Sequence, residues 1–502
     1  MGVANDAVNF TNSAVGSRVA FRWVILLTAS LGIFLGTMFS GGMMEVARKG
    51  VFNPENFLFF EVMVIFLAVM FTDVMLLDLY NTFGLPTSTT VSLVFELLGA
   101  SVAVAIIKIV SAGEPISQLA AYINSDKALA MIGGILVSVI LAFLFGMVIQ
   151  FISRIIFTFD YMHNLKRYGS FWCAIVITLI VYYIMIKGAP GSVLVSLEMR
   201  DWISQHSGMV VIINFAFWLV IFQIVLWFTR INILKLIVLL GTFALALSFA
   251  ANDLVNFIGV PMAGLASYQL ARNSGDPFSM TMEGLHQPVI INILILLIAS
   301  MVMVLSLWIS KKARGVTQTE VDLARQEKGA ERFESSLIAR IIVDISLALF
   351  ESIQKIIPNS VRQWIAGRLD IRMYKSVNHA TGKVPSFDLI RASVNLMVAS
   401  SLISFGTSLK LPLSTTYVTF MVAMGTSLAD KAWGIESAAS RLTGVLTVIG
   451  GWFFTAFSAF IVAAFLAFII YFGKFIAIFL LIILSIFFVY KTHAFHRMRQ
   501  KV

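Results

Sequence analysis

The strongest constraint on this chain is a succession of apolar runs close to 20 residues long, among them 57–80, 131–153, 210–228 and 442–468. As a helix, a run of that length matches the roughly 30 Å hydrocarbon core of a bilayer. In hydrocarbon every backbone N–H and C=O must find its partner within the protein, which leaves helices or closed barrels. Continuous runs, rather than short alternating ones, select helices. Charge content agrees, because 12% of the residues are charged and a soluble domain carries about 25%. The sequence predicts an all-α polytopic membrane protein.

The formal net charge is +10. No helix-turn-helix or RNA-reading pattern accompanies it, so nucleic acid is not expected as a partner. Lys and Arg accumulate in cytoplasmic loops, which makes the charge a guide to topology. Arg154, Lys166, Arg167, Arg230 and Lys235 place two loops inside, while the 187–207 loop between them is nearly balanced. Further spans are expected at 23–40, 171–186, 236–251, 289–310, 389–409 and 476–490, with two more ending at Ile109 and Leu428. The basic tail, 491–501, is expected in the cytoplasm. Cys173 is the only cysteine, which excludes an internal disulfide. His493 and His496 lack a third ligand and read as part of the solvated tail. No cleavable signal peptide is visible, and no catalytic motif is present, so the chain does not read as an enzyme.

One polar cluster occurs twice inside these apolar surroundings. Val3-Ala4-Asn5-Asp6-Ala7-Val8-Asn9-Phe10 returns as Ala250-Ala251-Asn252-Asp253-Leu254-Val255-Asn256-Phe257. A second segment also recurs: Leu85-Pro86-Thr87-Ser88-Thr89-Thr90 and Leu411-Pro412-Leu413-Ser414-Thr415-Thr416. Asn5 and Asn252 lie 247 positions apart, and Ser88 and Ser414 lie 326 apart. The excess matches one insertion, the charged segment 311–388, in the second copy. Two motifs in the same order argue for an internal duplication. The chain divides into a first half at 1–230, the start of the second repeat at 231–310, a cytoplasmic insertion at 311–388 and the rest of the second repeat at 389–502. Within the insertion, 338–357 has apolar residues at helical spacing and reads as an amphipathic helix.

Loop charges give the halves opposite orientation. The loop after the first motif holds Arg18 and Arg22 and falls inside, whereas the equivalent loop at 271–288 falls outside. The 45–55 loop falls outside, with Arg48 and Lys49 against the rule, and its counterpart at Lys311 falls inside. Inverted-topology repeats with broken or re-entrant helices are the plan of many secondary transporters, whose substrates bind near the midplane. The second motif follows the apolar run 236–251, but only Met1 and Gly2 precede the first. The sequence thus predicts a first repeat without its lead-in helix, from a truncated or mis-started N-terminus.

The two motifs suggest different chemistries. Proline followed by hydroxyl residues suits the first turn of a helix, where free N–H groups and the dipole favour an oxyanion. Ser and Thr also cap helices routinely. Occurring twice within a membrane, the segments favour an anion site made by Ser88, Thr89, Thr90, Ser414, Thr415 and Thr416, helped by Asn5 and Asn252. Asn5 and Asn9 share a helix face, as do Asn252 and Asn256. An ionised Asp beside an anion repels it unless a cation binds with both. Asp6, Asn9, Asp253 and Asn256 are therefore expected to hold a coupling cation, Na⁺ on Asp6 and Asp253 or a proton. A bland alternative is a helix–helix hydrogen-bond cluster, although intramembrane carboxylates are costly and usually functional. Glu61, Asp73, Asp78 and Glu96 also fall in apolar runs, without acidic counterparts in the second half. They read as cation ligands, a proton relay or helix-end groups. Gly133-Gly134 and Gly450-Gly451 read as close helix packing.

At these residues the chain resembles the inorganic phosphate transporter (PiT) family. That family carries a Gly-Ala-Asn-Asp-Val-Ala-Asn-Ala-like signature and a Leu-Pro-x-Ser-Thr-Thr-His-like segment in each half. Here Val3 and Ala250 replace the leading Gly, Phe10 and Phe257 the final Ala, and Val91 and Tyr417 the His. The resemblance implies an inverted-repeat symporter of inorganic phosphate with Na⁺ or H⁺, multi-pass in the plasma (inner) membrane and without a cofactor. Sulfate permeases are relatives of the family, so a sulfate permease on the same scaffold is the nearest alternative. A non-transporting membrane sensor with 311–388 as its output element is the other. The oligomeric state, a homodimer included, is left open by the sequence.

Overall fold

The computed structural model of the protein describes residues 2–40, 43–83, 87–182, 196–229, 231–274, 276–277, 279–287, 293–310, 317, 321, 323–325, 334–341, 343–345, 358–370, 385–430 and 435–499. Among them the regular structure is helical, and β pairing is limited to two isolated bridges. α1 (Gly2–Gly16) holds the first Asn-Asp motif and α2 (Arg22–Thr37) follows it. α3 (Phe59–Phe83) and α4 (Thr89–Ala112) flank the first Ser-Thr-Thr segment. α5 (Ser125–Phe157), α6 (Tyr161–Val181) and α7 (Ser207–Phe228) come next. α8 (Ile233–Arg272) holds the second Asn-Asp motif, and α9 (Ile293–Ile309) follows. α10 (Leu389–Ser408) and α11 (Thr415–Ala429) flank the second Ser-Thr-Thr segment. α12 (Ile435–Arg499) contains the last two apolar runs and breaks between them at Lys474, where φ is 46° and ψ is −131°. Among the described residues, 7 helices are long and apolar enough to cross a membrane. The protein is an all-helical, multi-pass membrane protein.

Two features place polar groups at mid-membrane. α8 runs unbroken through its motif for 40 residues, roughly 60 Å at 1.5 Å per residue, which sets Asn252–Asn256 near its middle. α4 and α11 instead begin inside the protein, on Ser88 (1% exposed) and Ser414 (0%). The chain is therefore broken between α3 and α4 and between α10 and α11, where the sequence places Pro86 and Pro412.

Packing follows glycines at equivalent places. A Cβ on Gly99 of α4 would collide with the carbonyl oxygen of Phe460 in α12, and one on Gly425 of α11 with that of Phe143 in α5. Gly99 and Gly425 are related by the same 326-residue offset as Ser88 and Ser414. Each short helix thus lies backbone-to-backbone against a long helix from the other half, as small residues permit in membranes. The other glycine expectation is corrected. Among the described residues Gly133, Gly450 and Gly451 have nothing within 4 Å of an added Cβ, and Gly134 meets Leu411 alone, at 3.8 Å. These glycines lie on helix faces without a close neighbour. The lone Cys173 is buried in α6.

The two ends of α5 are tied differently. Near its start, loop 51–56 bonds loop 121–124, with Asn53 N–H on the Tyr122 carbonyl at 2.9 Å and Asn124 N–H on that of Val51 at 2.9 Å. On this side Arg48 donates to the Gln287 carbonyl at 2.6 Å, and His286 meets Glu55 at 2.7 Å. The 45–55 and 271–288 loops, both expected outside, therefore meet. At the other end Arg154 binds Asp388 and Asp430. Arg368, in the short helix Asn359–Arg368 of the insertion, donates to the Ile155 and Ile156 carbonyls at 2.7 and 2.8 Å. Of the amphipathic helix expected at 338–357, residues 342 and 346–357 lie outside the described residues, and 338–341 and 343–345 are helical.

Candidate functional site

The site is assembled from the starts of α4 and α11 and the motif faces of α1 and α8. Ser88 has an extended backbone and its Oγ accepts from the Val91 N–H at 3.1 Å. Ser414 does the same for the Tyr417 N–H at 3.1 Å. Both serines are helix caps. Capping fixes the two residues that follow, and these present hydroxyls to the motif helices.

Thr89 donates to Asp6 Oδ2 at 2.7 Å and Thr416 to Asp6 Oδ1 at 3.3 Å. Thr90 donates to Asp253 Oδ1 at 2.8 Å, and Thr415 lies near the same carboxylate. Each aspartate is thus met by one threonine from each half. The asparagines cross over. Asn9 Nδ2 donates to the hydroxyls of Thr415 and Thr416 at 3.1 and 3.0 Å, and Asn256 Nδ2 to those of Thr89 and Thr90 at 3.0 Å each. Asn256 Nδ2 also reaches Asp253 Oδ1 at 2.8 Å. None of these eight side chains is more than 6% exposed.

Of the sequence-predicted residues, Asn252 lies at the edge. It donates to the Leu413 carbonyl at 2.7 Å and to Asp253 Oδ1 at 3.2 Å. The side chain of Asn5 lies outside the described residues. The hydroxyls of Thr89, Thr90 and Thr416, expected to face an anion, give their protons to the aspartates. Two of the additional carboxylates are ordinary helix-end or inter-helix groups. Glu61 accepts from the Leu58 N–H at 2.8 Å and pairs with Lys108 at 2.9 Å, and Asp78 accepts from Thr492.

The unused capacity of the cluster consists of oxygen atoms. Asn9 Oδ1, Asn256 Oδ1 and Asp253 Oδ2 are buried and have no hydrogen-bond partner among the described residues. Carbonyl and carboxylate oxygens are the ligands that a hard cation takes in such transporters. Among the described residues no Lys or Arg forms an ion pair with Asp6 or Asp253.

Two participants escaped the sequence reading. The Leu413 carbonyl is an acceptor supplied by the residue before the cap. Asn12 is buried, with Oδ1 unpartnered among the described residues; its position three residues after Asn9 puts it on the same helix face, a signal that was readable. Tyr417, where the PiT signature has histidine, stacks on Trp452 with ring centroids 3.7 Å apart.

A family model described as the phosphate transporter family matches residues 2–315. Two proteins provisionally named phosphate permeases, from Pyrococcus abyssi and Thermococcus kodakarensis, are each 28% identical over about 300 residues, covering 57% of this chain. The matched part spans 66% of the length of each of these curated relatives. A solved structure titled "The sodium-dependent phosphate transporter" superposes with a TM-score of 0.61 at 15% identity, covering 93% of this chain and 94% of its own. At that identity the likeness is one of fold.

Proposed function

The chain belongs to the phosphate transporter family, and from that premise we propose that it carries inorganic phosphate across the plasma membrane together with Na⁺ or H⁺. The observation that carries this reading is that three threonine hydroxyls, drawn from both halves, donate to two buried aspartates with which no described basic side chain forms an ion pair. Each hydroxyl has one proton to give. While Asp6 and Asp253 accept those protons, an anion cannot receive them.

A cation changes that balance. Bound to Asp6 and Asp253 and to the free amide oxygens of Asn9 and Asn256, it occupies the lone pairs that the threonines now serve. Thr89, Thr90, Thr415 and Thr416 can then turn their protons towards an oxyanion. Ser88 and Ser414 act by holding the helix starts, whose first-turn N–H groups and dipoles add to the anion site. Asn252 supplies a further amide donor. The cation also screens the aspartates from the phosphate charge, which in a medium of low dielectric would otherwise repel it strongly. Binding of the two ions is thereby linked. The name of the structural neighbour supports Na⁺ for that protein, and the same role here is part of the proposal. The basic loops around Arg154 and the insertion support a cytoplasmic position for that end.

Phosphate uptake into liposomes holding the purified full chain, under imposed Na⁺ or pH gradients and with sulfate as competitor, tests the reading. Uptake should follow one of the gradients and resist excess sulfate. Asp253→Asn should remove gradient-driven uptake while leaving the protein folded. Unchanged coupled uptake in that variant, or displacement of phosphate by sulfate, would sink the assignment.

A further inference from the structure

A second carboxylate pair lies beside this site, in one half only. Glu96 of α4 is seven residues beyond Thr89, on the same helix face. Its Oε1 accepts from Ser92 Oγ at 2.6 Å. The residue is fully buried, and its Oε2 has no partner among the described residues. Asp73 of α3 lies within electrostatic range of both Glu96 and Asp6, and unlike them it is partly exposed. Neither Asp73 nor Glu96 has a Lys or Arg partner among the described ion pairs.

The other half serves as a natural control. The offset of 326 that relates Ser88 to Ser414 relates Asp73, Ser92 and Glu96 to Ala399, Val418 and Val422. Those residues are buried too, at 1% exposure or less. Three apolar side chains therefore fill the equivalent space, so helix packing does not require the polar trio. Carboxyl groups in a membrane interior are costly and are retained for use.

We propose that Asp73, Ser92 and Glu96 form a proton-binding site, with Asp73 as the entry from water and Glu96 as the buried acceptor. A proton passes from water to Asp73, then from that carboxyl to Glu96 Oε2, leaving Asp73 ionised and Glu96 neutral. Ser92 orients Glu96 through Oε1 and leaves Oε2 to take the proton. Protonation removes a buried negative charge near Asp73 and Asp6 and so links pH to the transport site. One hydroxyl and two carboxyls offer few oxygens for an alkali cation, which favours a proton. The link to uptake rests on the transport reading above, but proton binding does not.

Infrared difference spectra of the full chain in liposomes, recorded across pH steps without phosphate, read carboxyl protonation directly. A carboxylic acid C=O band should titrate in the wild type and vanish in Glu96→Gln. Radiolabelled phosphate uptake should depend on pH in the wild type, and in Glu96→Gln the ratio of rates at acidic and neutral pH should fall to one. Should Glu96→Gln fail to fold, Asp73→Ala/Ser92→Val/Glu96→Val installs the other half's residues and gives the same readouts. A band lost in these variants, even where the wild type moves no phosphate, upholds the proton site and removes only the phosphate reading. Phosphate uptake without a titrating band, or with a pH dependence the variants leave intact, overturns it. Loss of Na⁺ dependence with band and pH profile unchanged also overturns it, in favour of a Na⁺ site.

Discussion

Replacing Arg154 with methionine should cost the folded protein about 3 kcal/mol, near the lower end of what breaking a buried ion pair costs. Arg154 is 1% exposed on α5. Its guanidinium donates to Asp388 Oδ2 and Oδ1 at 2.6 and 2.9 Å, and to Asp430 Oδ1 and Oδ2 at 2.7 Å each. Asp388 caps α10 by accepting from the Arg391 N–H at 3.0 Å, and Asp430 follows α11. One cation thus joins a first-half helix to two helix ends of the second half. Methionine preserves most of the packing but donates nothing. Arg391, at 3.6 Å from Asp430, and Gln150, at 2.7 Å, retain part of the compensation, hence the lower figure. The pH dependence is a sharper check. Burial alone would raise the Asp388 carboxyl, but the charge and hydrogen bonds of Arg154 hold it below the ordinary value. A depressed carboxyl stabilises the fold above its unfolded value, about 3.9, and the gain is lost as pH falls through the folded value. The wild type should therefore exceed Arg154→Met by the full amount at neutral pH, and the gap should close below about pH 4. Unfolding titrations of the detergent-solubilised protein at both pH values measure it. A loss under about 1 kcal/mol, the scale of an exposed pair, or a gap that ignores pH, would refute the reasoning.

Three further outcomes are expected. Ser88→Ala and Ser414→Ala should each lower stability by about 1 kcal/mol, the value of a helix cap, and should weaken phosphate binding less than Thr90→Val or Thr416→Val in uptake assays. Gly99→Leu and Gly425→Leu should both be strongly destabilising, by about 3 kcal/mol or more on the scale of overpacked cores, whereas Gly450→Leu should leave the unfolding midpoint near that of the wild type. Tyr417→Phe removes a buried hydroxyl without a described partner and keeps the stack on Trp452, so its midpoint should equal or exceed the wild type's; a clear drop would reveal a partner for that hydroxyl.

Much of the fold was legible because hydrocarbon leaves the backbone few choices. Most of the apolar runs became helices within a few residues of their expected ends, although α6 starts ten residues before the span expected from 171 and α8 runs on to Arg272 past the end expected at 251. The break at Lys474 falls between two of the runs. The motif residues were legible because Asn, Asp and clustered Thr are rare in such surroundings. Their pairing was not. Sequence spacing puts Asn9 beside Asp6 on one helix face, but it carries no information about which half's threonines that face meets. The answer depends on α4 and α11 each lying against a long helix of the opposite half, and the glycines that permit this, Gly99 and Gly425, look like many others in the chain. The glycine pairs that stood out, Gly133-Gly134 and Gly450-Gly451, sit on open faces, because adjacency in sequence does not place two glycines on one helix face.

The roles of the hydroxyls follow from the same limit. A proline before Ser-Thr-Thr signals a helix start, and helix starts suit anions, so all six hydroxyls read as phosphate ligands. The fold divides them. A cap must bend back to its own N–H groups, which commits Ser88 and Ser414 to the backbone. The next two residues point away from the helix and reach whatever lies opposite, here two aspartates. An anion site and a cation site that read as separate in sequence therefore share threonine protons. Coupling between the ions then needs no long-range signal: it follows from hydroxyls that can serve a carboxylate or a phosphate, but not both at once.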